Sequence, residues 1–372
     1  MFSQIKNFIK NRKITNYFKT NFDKNVLISY IVYPLRFKKS DGHNNQLEIK
    51  TIANVFKKLS YNVDIVFYAS NEKLNYKKYD LVFGFGKPFV KSVNSKKKIK
   101  RIFYATGSHP DFQNKQTKKR LEEVFLKTGI KMSDSCRFAK EYSKEQYSIA
   151  DAIILLGSEA TKKTYGNIAH KIFTINTFFN PNILTLGNVV LINEQMKKSF
   201  LYFTSNGAIH RGLDVLLELF EKNEQYDLYV SSNLDKEKEF LNHYSSKLYK
   251  KNIHYLGYNS ILSKNFKKLV NNCAFSILPS SSEGQSTSIT NLSACGLIPL
   301  ITKECGFDLE DKSITIKKID FDSIKEAVDK SQTMSLVEID KKIKKIKKHF
   351  SENYTLANFE KEIESIVLKI TN

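Results

Sequence analysis

What most restricts the folds open to this chain is a rhythm in its apolar residues: short apolar runs alternate with amphipathic stretches, the pattern lapses near residue 180, and then it begins again. A run of four to eight apolar residues bounded by turn residues reads as a buried strand. A longer stretch with apolar residues three or four apart reads as a helix. On these grounds strands are predicted over residues 25–32, 62–68, 81–85, 102–105 and 152–157, with helices over 47–59 and about 115–127. Residues 178–195 are weakly periodic, hold Asn180, Pro181 and a glycine, and read as the connection. The second series predicts strands over 200–204, 227–231, 253–256, 274–278 and 298–301, helices over 213–221, 236–249, 262–271 and 288–294, and one long charged helix over 340–369. Strands separated by helices with short connections make a parallel sheet covered on both faces. Two such series predict two Rossmann-like α/β domains facing across a cleft, with ligands at the carboxyl ends of the strands.

Length agrees with that division, since 372 residues exceed one ordinary core. The expected layout is an N-terminal helix over 1–24, a first domain over 25–190, a second over 191–345 and a C-terminal helix over 346–372. No apolar run approaches the roughly 20 residues of a membrane-spanning helix, and residues 1–24 lack the apolar segment and cleavage site of a secretory signal. Cys136, Cys273, Cys295 and Cys305 fit no zinc or redox spacing, which predicts reduced thiols in a cytoplasmic protein. The net charge of +22 is unevenly spread: residues 1–190 hold 34 Lys and Arg against 14 Asp and Glu, and residues 191–372 hold 26 against 24. Such a field attracts phosphate groups on nucleic acid, lipid or a charged acceptor; a Lys-rich solvated surface is the plainer account of part of it. No recognition helix, zinc pattern or aromatic RNA-binding motif is present, so no nucleic-acid partner is expected. Residues 2–22 place Phe2, Ile5, Phe8, Ile9, Ile14, Tyr17, Phe18 and Phe22 at helical spacing among five cations. That predicts a basic amphipathic helix, either lying on an anionic membrane surface or packed on its own domain.

The densest chemistry is in residues 274–299, AFSILPSSSEGQSTSITNLSACGLIP. An apolar strand ends at Pro279, and serines, Glu283 and Gly284 form the crossing loop. Gln285, Ser286 and their neighbours then open a helix whose unpaired N–H groups make an anion site. Gly284 allows close approach of backbone to a ligand. Glu283 at the rim suits a neutral, hydroxyl-rich ligand such as a sugar. This segment resembles the donor-site signature of retaining GT-B glycosyltransferases of the group 1, or family four, type. Their pattern has two glutamates separated by seven residues. Glu283 falls on the first, with Gly284, Ala294, Cys295, Gly296 and Pro299 in register, and Asn291 replaces the second. The resemblance implies a GT-B fold, Glu283 on donor-sugar hydroxyls and Asn291 toward the nucleotide ribose.

Residues 200–214, FLYFTSNGAIHRGLD, resemble the first strand, loop and helix start of the same family's C-terminal domain. Arg211 falls on a basic residue that grips the diphosphate, with help from the Gly207 backbone. The other expected cation is missing near Ser205 and Asn206, and His210 is read as supporting the loop. Tyr258 lies in a strand and turn resembling the one that reads the base. In the first half, Gly42, His43 and Asn45 open a helix in the place of a donor-facing or acceptor loop, and they are equally good turn and helix-cap residues. His109 stands where the family often places a catalytic histidine, in a His-Pro sequence that is also ordinary turn chemistry.

Together the resemblance implies transfer, with retention, of a sugar from a nucleoside-diphosphate sugar to a glycan or lipid-linked acceptor, in surface polysaccharide synthesis. Glu283, His109 and Arg211 would be the catalytic residues. No Asp-x-Asp suited to a metal is present, and neither metal nor cofactor is expected. The enzyme would sit in the cytoplasm or on the inner face of the membrane. A catalytically inactive nucleotide-sugar-binding subunit and a nucleotide-sugar epimerase are the alternatives.

Overall fold

In the computed structural model, which describes residues 11–37, 43–139, 143–186 and 191–371, the apolar runs become two six-stranded parallel sheets. The first is built from β1 (Lys24–Tyr30), β2 (Tyr61–Phe67), β3 (Leu81–Gly84), β4 (Lys100–Ala105), β5 (Ala152–Leu156) and β6 (Ile172–Ile175), in the order β2-β1-β3-β4-β5-β6. The second holds β7 (Ser199–Phe203), β8 (Asp227–Ser231), β9 (Ile253–Tyr255), β10 (Phe275–Leu278), β11 (Ile298–Ile301) and β12 (Ile314–Thr315), in the order β12-β11-β10-β7-β8-β9. This is the two-domain GT-B architecture. Strands β5, β10 and β11 are buried along their whole length, as expected when helices cover both faces of a sheet. The sequences of β5 and β11 are accordingly continuous apolar runs rather than alternating ones, and β10 departs from this only at buried Ser276.

The helices that matter for the site are α1 (Asn44–Lys58), α2 (Pro110–Thr128), α3 (Leu213–Glu221), α4 (Lys238–Leu248) and α5 (Thr287–Cys295). After them come α6 (Phe321–Gln332), α7 (Leu336–Asn353) and α8 (Leu356–Thr371). In each sheet the strand order reverses beside the first strand, between β1 and β3 and between β7 and β10. A crevice opens at such a reversal, outside the carboxyl ends of the strands. The loops leaving β7 and β10 are the two segments whose sequence resembles a donor site.

Strands β6 and β12 and helix α6 were not foreseen. Their segments are short or polar, and burial by neighbouring elements supplies what local pattern does not. The long helix expected over 340–369 is instead α7 and α8, broken at Tyr354 and Thr355. Helix α7 buries Ile339, Ile346 and Phe350 in the core of the second sheet. Helix α8 buries Phe359, Ile363 and Val367, one stripe at four-residue spacing, in the core of the first sheet and packs on α1. One straight helix cannot reach both cores. The chain therefore passes between domains a second time, and there Phe179 N–H donates to Tyr354 O at 3.0 Å.

Residues 12–22 correct the expected N-terminal helix, whose residues 1–10 lie outside the described ones and whose Asn11 is helical. Ile14 pairs with Ile65 in both directions at 2.8 Å, antiparallel to β2, and Tyr17 N–H donates to Val63 O at 2.8 Å. Asn16 and Lys19 adopt positive φ, which no helix allows. The segment covers the outer edge of β2, a strand edge that would otherwise present unpaired backbone.

Candidate active site

A cleft of about 730 Å³ runs between the domains, walled by the carboxyl ends of both sheets. Its walls include Glu283 to Ser288 and Asn291 from the β10 loop and α5, Ser205 and Arg211 from the β7 loop, and Tyr258. From the other domain come His43, Asn45, Glu48, Tyr104, Ser108 and Arg137.

At its centre three charged side chains meet. The Arg211 Nε donates to Glu283 Oε1 at 2.8 Å, and Arg137 Nη1 lies 3.1 and 3.0 Å from the two carboxylate oxygens. Ser280 Oγ donates to Oε1 at 3.1 Å. Arg211 Nη1 also donates to Asn206 O and Ser205 Oγ, fixing its guanidinium under the β7 loop. Burial pushes the Glu283 carboxyl up, but the Arg211 and Arg137 guanidiniums outweigh it and hold the group well below the usual carboxylate range. Glu283 is thus ionised at any working pH. Arg137 was not foreseen, since it follows Cys136 in a segment without a motif and comes from the opposite domain.

The loop holding Glu283 is clamped to the first domain by short polar contacts. Ser108 Oγ donates to Glu283 O at 2.6 Å, and Thr161 Oγ1 to Gly284 O at 3.0 Å. A Cβ on Gly284 would lie 2.5 Å from Thr106 O and 2.8 Å from Leu156 O, so only glycine allows this approach. The Gln285 carboxamide accepts from Thr177 N–H at 2.6 Å and donates to Asn176 Oδ1 and Gly306 O. Gln285, expected to bind the donor, is here a bridge between domains with its oxygen and nitrogen both engaged. Asn291 is similar. Its oxygen accepts from Asn180 N–H at 2.8 Å, and its nitrogen donates to Thr287 O at 2.8 Å. The carboxamide is thus a tie to the domain connection, a contact a glutamate could make only through its oxygens.

Gly207 also differs from expectation. Its N–H and that of Ala208 donate to the two oxygens of buried Glu237, at 2.5 and 2.9 Å. A carboxylate of the protein therefore fills the anion pocket of this loop, and Gly207 is absent from the cleft wall. What Gly207 provides is room: with φ at +91°, a Cβ there would lie 2.8 Å from Arg137 Cδ. Free backbone donors are found instead at the start of α5, where Thr287 and Ser288 N–H meet no acceptor among the described residues.

His210 is buried and bridges the domains. Nε2 donates to Ser282 O at 2.9 Å, and Nδ1 accepts from Thr117 Oγ1 at 3.1 Å or Ser281 Oγ at 3.2 Å. Burial first, then the Arg137 charge, lower it to about 4, so the imidazole is neutral. His109, proposed as catalytic, caps α2 by accepting from Asp111 N–H at 3.2 Å, and its ring packs on Tyr147 and Tyr165. The cleft wall includes its neighbours Gly107, Ser108 and Pro110 but not His109 itself. His43, Asn45, Ser286 and Tyr258 do line the cleft, Tyr258 half exposed, while Gly42 lies outside the described residues. Glu48, also unforeseen, accepts from Tyr30 Oη at 2.5 Å in the opposite wall.

Closure of the domains is held further by Arg120 on α2, which grips Asp214 on α3 through two bonds of 2.9 and 2.7 Å. Among the described residues no group of three His, Cys, Asp or Glu side chains could hold a metal ion. No described helix is long and apolar enough to cross a membrane.

Comparisons with known proteins agree with this fold. Residues 191–334 match the family model of glycosyl transferases group 1. No curated protein sequence matches the chain. Among solved structures, a sucrose-phosphate synthase from Thermosynechococcus elongatus superposes with a TM-score of 0.63 at 9% identity, over 94% of this chain and 99% of that one. Anabaena HepE, solved with UDP and glucose, gives 0.61 at 10% identity, over 94% and 100%. WaaG, a glycosyltransferase involved in lipopolysaccharide biosynthesis, gives 0.57 at 12% identity, over 92% and 99%. At these identities the likeness establishes the fold. Strand order and the match over 191–334 agree: the chain has the two-domain GT-B fold, and its second domain is similar to glycosyl transferases group 1.

Proposed function

We propose that the protein transfers a sugar, with retention and without a metal, from a nucleoside-diphosphate sugar to a glycan or lipid-linked acceptor. The observation that carries this reading is the cluster of Arg211, Arg137 and Glu283 on the wall of the interdomain cleft, which the free amides at the start of α5 also line. Two guanidiniums against one carboxylate leave a unit of positive charge facing a cleft large enough for a nucleotide sugar. Such charge, with N–H groups at a helix start, suits a diphosphate and stabilises it as a leaving group. Glu283, permanently ionised, accepts from sugar hydroxyls. No second carboxylate of the described cleft wall adjoins Glu283, so attack from the leaving-group face, with the diphosphate taking the acceptor proton, fits better than a covalent intermediate. HepE, whose structure holds UDP and glucose, and WaaG, of lipopolysaccharide biosynthesis, support a uridine-linked donor and a role in surface polysaccharide assembly.

The excess charge of residues 1–190 would draw that half toward an anionic membrane, where lipid-linked acceptors reside. Sedimentation with phosphatidylglycerol vesicles should be lost at high salt; salt-independent sedimentation, or none, removes the membrane part of the reading. For the activity itself the test is a thermal-shift and hydrolysis screen of nucleotide sugars against wild type and Glu283→Gln. A tight donor raises Tm by linkage. One donor should stabilise the wild type and be hydrolysed slowly by it, with hydrolysis lost in Glu283→Gln. Stabilisation without turnover in any donor and acceptor mixture would favour a binding subunit, and no stabilisation at all would remove the reading.

A further inference from the structure

We propose that Arg137, contributed by the N-terminal domain, is the second cation of the donor's diphosphate site, and that it exchanges the Glu283 carboxylate for the phosphate next to the sugar when the donor enters. This rests on the donor reading above. The β7 loop carries one cation, Arg211, and offers Ser205 and Asn206 where a second would be expected. Arg137 reaches that place from across the cleft, its methylenes lying over Gly207 and its Nη1 on Glu283.

The guanidinium is positioned rather than loose. Its own carbonyl accepts from Gln113 Nε2 at 2.6 Å and from Thr117 Oγ1 at 3.3 Å, both on α2. Ala139 N–H, two residues on, donates to Asn114 Oδ1 at 2.8 Å. On its other side the segment is tied to the second domain, with Glu239 N–H donating to Asp134 Oδ2 at 2.9 Å. Yet only Nη1 of Arg137 has a partner among the described residues, which leaves Nε and Nη2 as donors. Arg211 likewise keeps Nη2. Both line the cleft, and the Arg137 side chain retains 34% exposure against 8% for Arg211, so Arg137 is the more open to an entering ligand. The Arg211 guanidinium, as the largest cause, holds Arg137 below its ordinary value, which marks a cluster with more positive charge than its carboxylate balances.

A diphosphate is the ligand this arrangement fits. It brings two or more negative oxygens, and planar guanidinium forks match phosphate geometry. Once it takes Arg137, Glu283 is left with Arg211 and Ser280 and is released toward sugar hydroxyls. Because Arg137 and Arg211 belong to different domains, the diphosphate side of the donor is complete only when the domains are closed. Donor binding is thereby tied to closure, which also keeps water from the sugar.

The test is calorimetric titration of the full chain with UDP, GDP, ADP and dTDP, each beside its monophosphate. For the base that binds wild type, Arg137→Gln should weaken the diphosphate about 10- to 100-fold and the monophosphate by less than about 3-fold. Arg137→Lys should fall between. The variant should fold, since Glu283 and Arg211 remain as a neutral pair, and a circular dichroism spectrum checks this. Unchanged diphosphate affinity in Arg137→Gln, or an equal loss for diphosphate and monophosphate, overturns the proposal, the latter because it marks a purely structural residue. If wild type binds none of the eight nucleotides, the donor reading itself fails and the proposal falls with it.

Discussion

Replacing Glu48 by Gln tests how deeply the cleft wall is desolvated. Glu48 projects from α1 with 4% of its surface exposed, and its partner is the hydroxyl of Tyr30 at 2.5 Å. Burial raises the carboxyl from 4.5 to about 7, against the smaller lowering effect of the Tyr30 hydrogen bond. The folded protein thus holds the proton more tightly than the unfolded chain. Its contribution to stability is fully present below pH 4.5, declines as pH rises, and is lost above about pH 7. A separation of about 2.5 pKa units corresponds to about 3 kcal/mol. Glutamine has nearly the same shape and no proton to lose. Urea unfolding followed by circular dichroism at pH 5 and pH 8 gives the comparison. Wild type should lose roughly 2 to 3 kcal/mol more than Glu48→Gln over that interval, so that the variant is relatively more stable at pH 8. Parallel pH dependences would show that Glu48 ionises normally and that this wall of the cleft is wet.

Three further outcomes are expected. Asp214→Ala should cost about 3 kcal/mol in urea unfolding, because buried Arg120 loses its bidentate partner, and adding Arg120→Met should recover most of it. Gly284→Ala should cost about 1 to 3 kcal/mol and strongly reduce donor hydrolysis, since its Cβ would lie 2.5 Å from Thr106 O; unchanged hydrolysis would mean that the loop does not need this contact. His109→Phe, which keeps ring packing on Tyr147 and Tyr165 but loses the cap, should leave kcat within about 3-fold and cost about 1 kcal/mol of stability, whereas a hundredfold fall in kcat would restore a catalytic role.

Legibility of the fold followed burial on both faces. Continuous apolar runs such as 152–156 and 298–301 announce parallel strands, and their spacing announces the helices between them. The break between α7 and α8 was not legible. No proline or glycine marks residues 353–356, and the turn exists because two separate cores claim Phe350 and Phe359. Glu283, Gly284 and Arg211 could be placed at the cleft from sequence because each lies in a short stretch that holds its own strand, loop and helix start. Arg137 and Glu237 escaped because their roles depend on approach from afar, one from the other domain and one from thirty residues downstream. Glu237 also explains why the Gly207 amides were misread, since sequence shows an anion pocket but not that the protein fills it. The local sequence around Asn291 points only to a ribose contact, because its tie to Asn180 exists only with the domain connection in place.

The central claim is sugar transfer from a nucleotide donor with retention. It is tested most directly by proton NMR of the sugar released during slow hydrolysis of the donor that stabilises the protein, with wild type and Glu283→Gln in parallel. From an α-linked donor the account predicts that the α-anomer appears first, before mutarotation, and that Glu283→Gln releases little. Release of the β-anomer would contradict retention, and release of no sugar from any stabilising donor, with or without acceptors, would contradict transfer itself.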